Sequence, residues 1–201
     1  MKLYFAPGSC ALATHIALAE SGLPYEIEAV DLHQNPHTTA SGVAFTTINP
    51  KGYVPALVLD NGETLTEAQV ILQYIADHAT GEQIAPEAGT LKRYRMMEWL
   101  AFLASEIHKS YAPLWTPSAS TEEKNVAWAT LSKRFGYIDH ELNGKEYLLG
   151  SFSVADCYLY VMLLWTKQLK LSIDTWPNLQ ALVKRMAARS AVQQAMKEER
   201  L

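Results

Sequence analysis

Cysteine is scarce: only Cys10 and Cys157 occur in 201 residues. Two thiols so far apart, in no CxxC pair and no metal-ligand cluster, exclude a disulfide framework and a cysteine-bound metal, and they fit a reducing cytoplasm. An excess of one charge is also missing. Seventeen Lys and Arg stand against 21 Asp and Glu, a net charge of −4, and the basic residues form no stripe of the kind that binds nucleic acid. Long apolar runs are lacking as well. Polar residues interrupt each run before the roughly 20 residues a bilayer span requires, and Met1 to Pro7 is too short in apolar length for a secretory leader. These absences describe a soluble cytoplasmic protein without membrane or nucleic-acid partners. Its 49% hydrophobic content suits a packed core in one large domain or two small ones.

The two halves differ in texture. Residues 2–6 read as a strand, and residues 10–21, with Leu12, Ile16 and Leu18, as a helix closed by Gly22. Residues 25–30 alternate as a second strand, which completes a β-α-β unit with parallel strands and a right-handed crossover. Residues 31–48 show little periodicity and read as a mobile segment with one short helix. Residues 54–60 and 63–65, joined by Asn61-Gly62, spell a hairpin. A helix over 67–78, with Val70, Ile71, Tyr74 and Ile75 on its apolar side, ends this half. Residues 80–89 read as a linker between a domain at 1–79 and one at 90–201. The latter shows helical spacing over 91–111, 121–142, 154–169 and 178–188, punctuated by Pro113, Pro117 and Pro177, and predicts an all-helical bundle.

Three places carry chemistry. Cys10 stands where the first strand gives way to a helix, and the exposed amides and positive dipole end there favour a thiolate; a small packed residue is the competing reading. Val54-Pro55 opens a strand with a residue that cannot donate to a ladder, so a bend, with a cis bond as one option, leaves the Val54 backbone open to a peptide-like ligand. Leu65-Thr66-Glu67-Ala68 leads into a helix, where the Ala68 amide suits an anion and Glu67 an ammonium group. Together these describe a glutathione site. In the second half, Ser153 and Asp156 read as a capping box with Phe152 packing before it, and Cys157 as a core residue.

On these stretches the chain resembles the glutathione S-transferases, most closely the bacterial beta class, over essentially its full length. The carrying segments are residues 2–5 with Pro7-Gly8-Ser9-Cys10, then Asn49-Pro50-Lys51-Gly52-Tyr53-Val54-Pro55-Ala56-Leu57, Leu65 to Ala68, Glu98-Trp99-Leu100 with Ser105-Glu106-Ile107-His108-Lys109, and Phe152 to Asp156. The resemblance implies an α/β thioredoxin-like domain of order βαβ-α-ββα, an all-α domain contributing the electrophile pocket, and a homodimer. It implies glutathione as cosubstrate with no permanently bound cofactor and no metal. Cys10, His108 and Ser9 would act at the glutathione sulfur, and Val54, Pro55, Glu67, Ala68, Ser105 and Glu106 would help hold the tripeptide. Ser105 and His108 are expected on one helical face, and Tyr111, Leu114 and Trp115 in the wall of the hydrophobic pocket.

The chain departs from the pattern in three places. Phe5 lacks the hydroxyl of the tyrosine many relatives carry there, Ala101 replaces an asparagine, and Gln34-Asn35-Pro36 holds no basic residue, which leaves His33 or His37 to substitute. Conjugation of glutathione to hydrophobic electrophiles is the leading reading. Thiol transfer or peroxide reduction through a Cys10 mixed disulfide, and a non-catalytic glutathione-binding dimer, are the alternatives.

Overall fold

A computed structural model describes residues 1–201 and divides them into two compact units, Met1–Ala85 with Ala188–Leu201, and Pro86–Ala187. In the first unit β1 (Lys2–Phe5), α1 (Ala11–Ser21) and β2 (Glu26–Asp31) form the expected unit, with β1 and β2 parallel and Leu3 opposite Ile27. Gly22 ends α1 at φ 71°, a left-handed cap that costs a residue without Cβ little. The segment after β2 holds a short β3 (Thr38–Thr39) and a 3-10 turn at Phe45–Thr47. Phe45 is fully buried and lies 5.9 Å from the Tyr4 ring.

The hairpin is narrower than the alternation predicts. β4 (Ala56–Val58) and β5 (Thr64–Thr66) are antiparallel. The Leu59 amide donates to the Glu63 carbonyl at 2.8 Å, and Gly62 takes φ 86° in the turn between them. The sheet order is β3-β2-β1-β4-β5, so β1 is central and its Leu3, Tyr4 and Phe5 are all buried. α2 (Ala68–His78) follows, burying Ala68, Ile71, Leu72 and Ile75. Val70, expected on that apolar side, is 44% exposed, because one residue before Ile71 turns about 100° away from the core on a 3.6-residue helix.

The second unit is helical. α3 (Leu91–Phe102) starts at Thr90, whose side chain accepts from the Arg93 amide. It does not run unbroken to Tyr111 as its periodicity predicts. It widens into a π-helical turn at Leu103–His108, tightens to 3-10 at Lys109–Tyr111, and passes into α4 (Ala112–Trp115). α5 (Thr121–Glu141) opens on a Ser120–Glu123 capping box, α6 (Val154–Gln168) on the expected Ser153–Asp156 box, and α7 (Pro177–Ala187) closes the unit. α6 is buried from Val154 to Leu163, Cys157 included, and Phe152 before it packs edge-on against Tyr147 at 5.6 Å.

One boundary differs from the expectation that residues 90–201 form a single helical domain. α8 (Ser190–Glu198), a helix the sequence reading omits, belongs with the first unit. It packs on α1 through buried Ala191, Val192 and Ala195. His15, fully buried on α1, binds Glu199 through Nδ1 at 3.0 Å and Glu198 through Nε2 at 2.7 Å. Two carboxylates on one buried imidazole tie this segment to α1 by charge-assisted contacts. The division between units falls inside the expected linker, between Ala85 and Pro86, and Ile84 and Ala85 are themselves buried. No helix is long and apolar enough to cross a membrane.

Candidate active site

In the first unit, the loop from β1 into α1 is held by short-range bonds. The Ser9 amide donates to the Ala6 carbonyl at 3.0 Å, and Ser9 Oγ accepts from the Ala11 amide at 3.2 Å. Ser9 therefore builds the turn with its oxygen lone pair. Gly8, at φ 70°, donates its amide to Glu199 Oε2 at 2.9 Å. Cys10 is the N-cap of α1 with φ −59° and ψ −19°, half-buried, and its Sγ donates to the Val54 carbonyl at 3.5 Å. Burial pushes the thiol up to about 12 against the opposing pull of the Cys10 and Ala11 amides, and the Glu67 charge adds to the rise. The expected thiolate at a helix end is thus overturned by desolvation, which disfavours the charged form more than the helix end favours it.

The Val54–Pro55 peptide bond is cis, and both residues are buried. The β1–β4 ladder begins at Ala56, which leaves the Val54 amide outside it. Glu67 occupies a left-handed backbone, φ 69° and ψ 113°, a conformation costing a residue with a side chain about 1–3 kcal/mol. Its carbonyl accepts from the Val70 and Ile71 amides at 2.9 and 3.0 Å, which fastens it to the first turn of α2. Its carboxylate is already engaged: Oε1 accepts from Lys51 Nζ at 2.6 Å and from the Tyr53 hydroxyl at 2.9 Å. Lys51 also donates to Thr66 Oγ1 at 2.9 Å. Ala68 is the first residue of α2, and its amide lies in the helical turn that has no intrahelical acceptor.

In the second unit, Ser105, Glu106 and His108 all lie on the π-helical turn. Ser105 is exposed and its hydroxyl donates back to the Ala101 carbonyl at 3.0 Å. Glu106 accepts from Arg134 at 2.5 Å. His108 is half-buried, with Nδ1 2.8 Å from the Tyr158 hydroxyl and its ring edge-on to Trp165 at 5.0 Å. Burial, helped by the Lys109 charge, drops its pKa to about 4, so the imidazole is neutral at pH 7. Ser105 and His108 lie three residues apart on this turn, whose π winding is wider than the α-helical geometry that their spacing assumed. Tyr111 is no pocket wall. It is fully buried and donates its hydroxyl to the Met162 carbonyl at 2.6 Å, whereas Trp115 is 44% exposed and Leu114 half-buried.

Of the histidines considered for the missing basic position, His37 binds the Gly52 carbonyl through Nδ1 at 2.7 Å, and His33 is exposed with its amide on Asp31. Residues 1–77 match the model of the glutathione S-transferase N-terminal domain, and residues 96–190 that of the C-terminal domain. The chain belongs to the glutathione S-transferase family. The transferase is 38% identical to glutathione S-transferase GstA of Escherichia coli O157:H7 over 202 residues, covering 100% of both chains. It is 33% identical, over 100% of both, to glutathione S-transferase GST-4.5 of Xanthomonas campestris. Among solved structures it resembles the ternary complex of the bacterial transferase BphK, with TM-score 0.96, 46% identity and 100% of both chains covered. A beta-class enzyme of Sphingomonas chungbukensis gives TM-score 0.94 and 46% identity over 99% of this chain and 98% of that one. The mixed sheet and helical bundle of the transferase are the fold that the resemblance implies.

Sequence reasoning missed four partners of the site residues: Lys51 and Tyr53 on Glu67, Tyr158 on His108, and Arg134 on Glu106. Lys51 and Tyr53 flank the glycine of the quoted motif, so their spacing was visible. Tyr158 and Arg134 lie 50 and 28 residues from their partners and left no local signal.

Proposed function

We propose that this glutathione transferase joins the sulfur of reduced glutathione to hydrophobic electrophiles, as a cytoplasmic homodimer. The observation that carries this reading is the row formed in the first unit by the Cys10 thiol, the Val54 backbone outside its ladder and the Glu67-Ala68 helix start. A bound tripeptide would pair its cysteinyl unit with the Val54 backbone as an added strand does. Its γ-glutamyl end would meet Glu67 and the Ala68 amide. A structure of a sphingomonad relative, 46% identical with TM-score 0.95, is described as complexed with glutathione, which supports the reading.

In the reaction, the glutathione thiol loses its proton and the sulfur forms a bond to an electrophilic carbon. With an aryl halide, the carbon–halogen bond breaks and halide leaves with the electron pair. We assign Cys10 the role of donor to the glutathione sulfur. A thiol raised to about 12 is protonated at neutral pH, which suits donation and weighs against the alternative in which Cys10 itself attacks a disulfide. The family resemblance assigns Ser105, Glu106 and His108 to the bound tripeptide. Burial leaves the His108 imidazole neutral at pH 7, a state that can donate or accept a hydrogen bond.

The test is conjugation of reduced glutathione to a chloronitrobenzene by the wild type and by Cys10→Ala. Loss of one hydrogen bond to a developing thiolate lowers kcat/KM about tenfold. Disulfide reduction that vanishes in Cys10→Ala while conjugation is untouched would replace this role by the redox one. A wild type that turns over no electrophile would leave only glutathione binding.

A further inference from the structure

We propose that Lys51 is a specificity-determining residue, which with Glu67 reads the zwitterionic α-amino acid end of the γ-glutamyl group; this rests on the glutathione site proposed above. Lys51 Nζ lies 2.6 Å from Glu67 Oε1 and 2.9 Å from Thr66 Oγ1, directly before the first residue of α2. The cation and the anion are thus fixed beside a helix start whose Ala68 and Gln69 amides make no backbone hydrogen bond within the chain, although Ala68 is buried. An α-amino acid end presents the complementary pair: an ammonium group for Glu67, and a carboxylate for the Ala68 amide and Lys51 together.

Three features argue that the ion pair is kept for a ligand. The Glu67 backbone holds an unfavourable φ of 69°, and such conformations concentrate at ligand clamps. Tyr53 gives its hydroxyl to the same Oε1 at 2.9 Å and keeps its ring 6.0 Å from Lys51 Nζ, which orients both charges. The side chains of Lys51 and Glu67 are 48% and 40% exposed, a setting in which an isolated pair adds little to stability. A carboxylate has about four acceptor positions, so Glu67 can take the ligand ammonium while Lys51 stays bound and turns a remaining N–H toward the ligand carboxylate.

The experiment measures binding by titration calorimetry of the full chain with two ligands, reduced glutathione and its analogue lacking the γ-glutamyl α-carboxylate. Lys51→Gln is expected to weaken glutathione about fivefold, the range of a partly exposed charge-assisted bond. It is expected to leave the analogue within twofold of its wild-type affinity, and Lys51→Arg to restore most of the loss. Equal weakening of both ligands would overturn the proposal, because Lys51 would then only brace Glu67. Tighter glutathione binding in Lys51→Gln would also overturn it, since Lys51 would be a competitor for Glu67. A wild type that binds neither ligand would refute the glutathione site itself, an outcome distinct from both.

Discussion

The Cys10 thiol stands between two opposing influences. The amides of the first turn of α1 favour its ionised form, and burial disfavours it more strongly, so the thiol rises to about 12. Alkylation by iodoacetamide should therefore accelerate close to tenfold per pH unit from pH 7 through pH 10, following the thiolate fraction. A plateau near pH 8 would show that the helix end wins. His108 shifts in the other direction, to about 4. Because the folded pKa lies below the unfolded value, the folded chain holds fewer protons between them. The stability His108 contributes is present above about pH 6.5 and is lost as pH falls through 4. The imidazole resonances should titrate near 4 in the folded wild type; a midpoint near 6.5 would remove the desolvated environment argued for this residue.

Regular elements and their irregular joints were not equally legible. Strand alternation over 25–30, the Asn61-Gly62 pair and the Ser153–Asp156 spacing each reflect a local rule, and each element formed. The π turn at 103–108 was hidden, because residues 91–111 carry helical spacing throughout and the winding follows from packing against neighbouring helices. Glu67 was legible as a charge at a helix start, yet nothing in a glutamate announces a left-handed backbone or an ion pair to Lys51. The capping box of α6 allows a quantitative test. Asp156 is fully buried and accepts from the Leu148 and Ser153 amides at 2.9 Å each and from Ser153 Oγ at 3.1 Å. Asp156→Ala leaves buried donors unpaired and should cost about 3 kcal/mol in urea unfolding. Burial raises the carboxyl to about 6 despite those bonds, so its linkage contribution is present below about pH 3.8 and lost as pH rises through 6. The gap between wild type and Asp156→Ala should accordingly narrow from pH 4 to pH 7; a gap that widens would contradict the assigned burial.

Chain order and spatial order diverge at α8. Its nine residues, Ser190–Glu198, are short and mostly polar outside Ala191, Val192 and Ala195, which is why periodicity did not mark them. Their destination on α1 depends on His15, a histidine that gave no sign of being fully buried between two carboxylates. Glu199 additionally holds the Gly8 amide, two residues before Cys10. Deleting residues 188–201 should lower the denaturant midpoint of the first unit and raise hydrogen exchange at Gly8 and along α1, while leaving Asp156 and its capping bonds unchanged. Unaltered exchange at Gly8 would show that the loop is fixed without Glu199. This arrangement has a consequence for biosynthesis. A ribosome makes all of residues 86–187 before it reaches the helix that completes the fold begun at Met1, so the compact helical unit can mature while the cysteine-bearing one is still unfinished. The loop that carries Cys10 would take its final form only after residues 188–201 have been made.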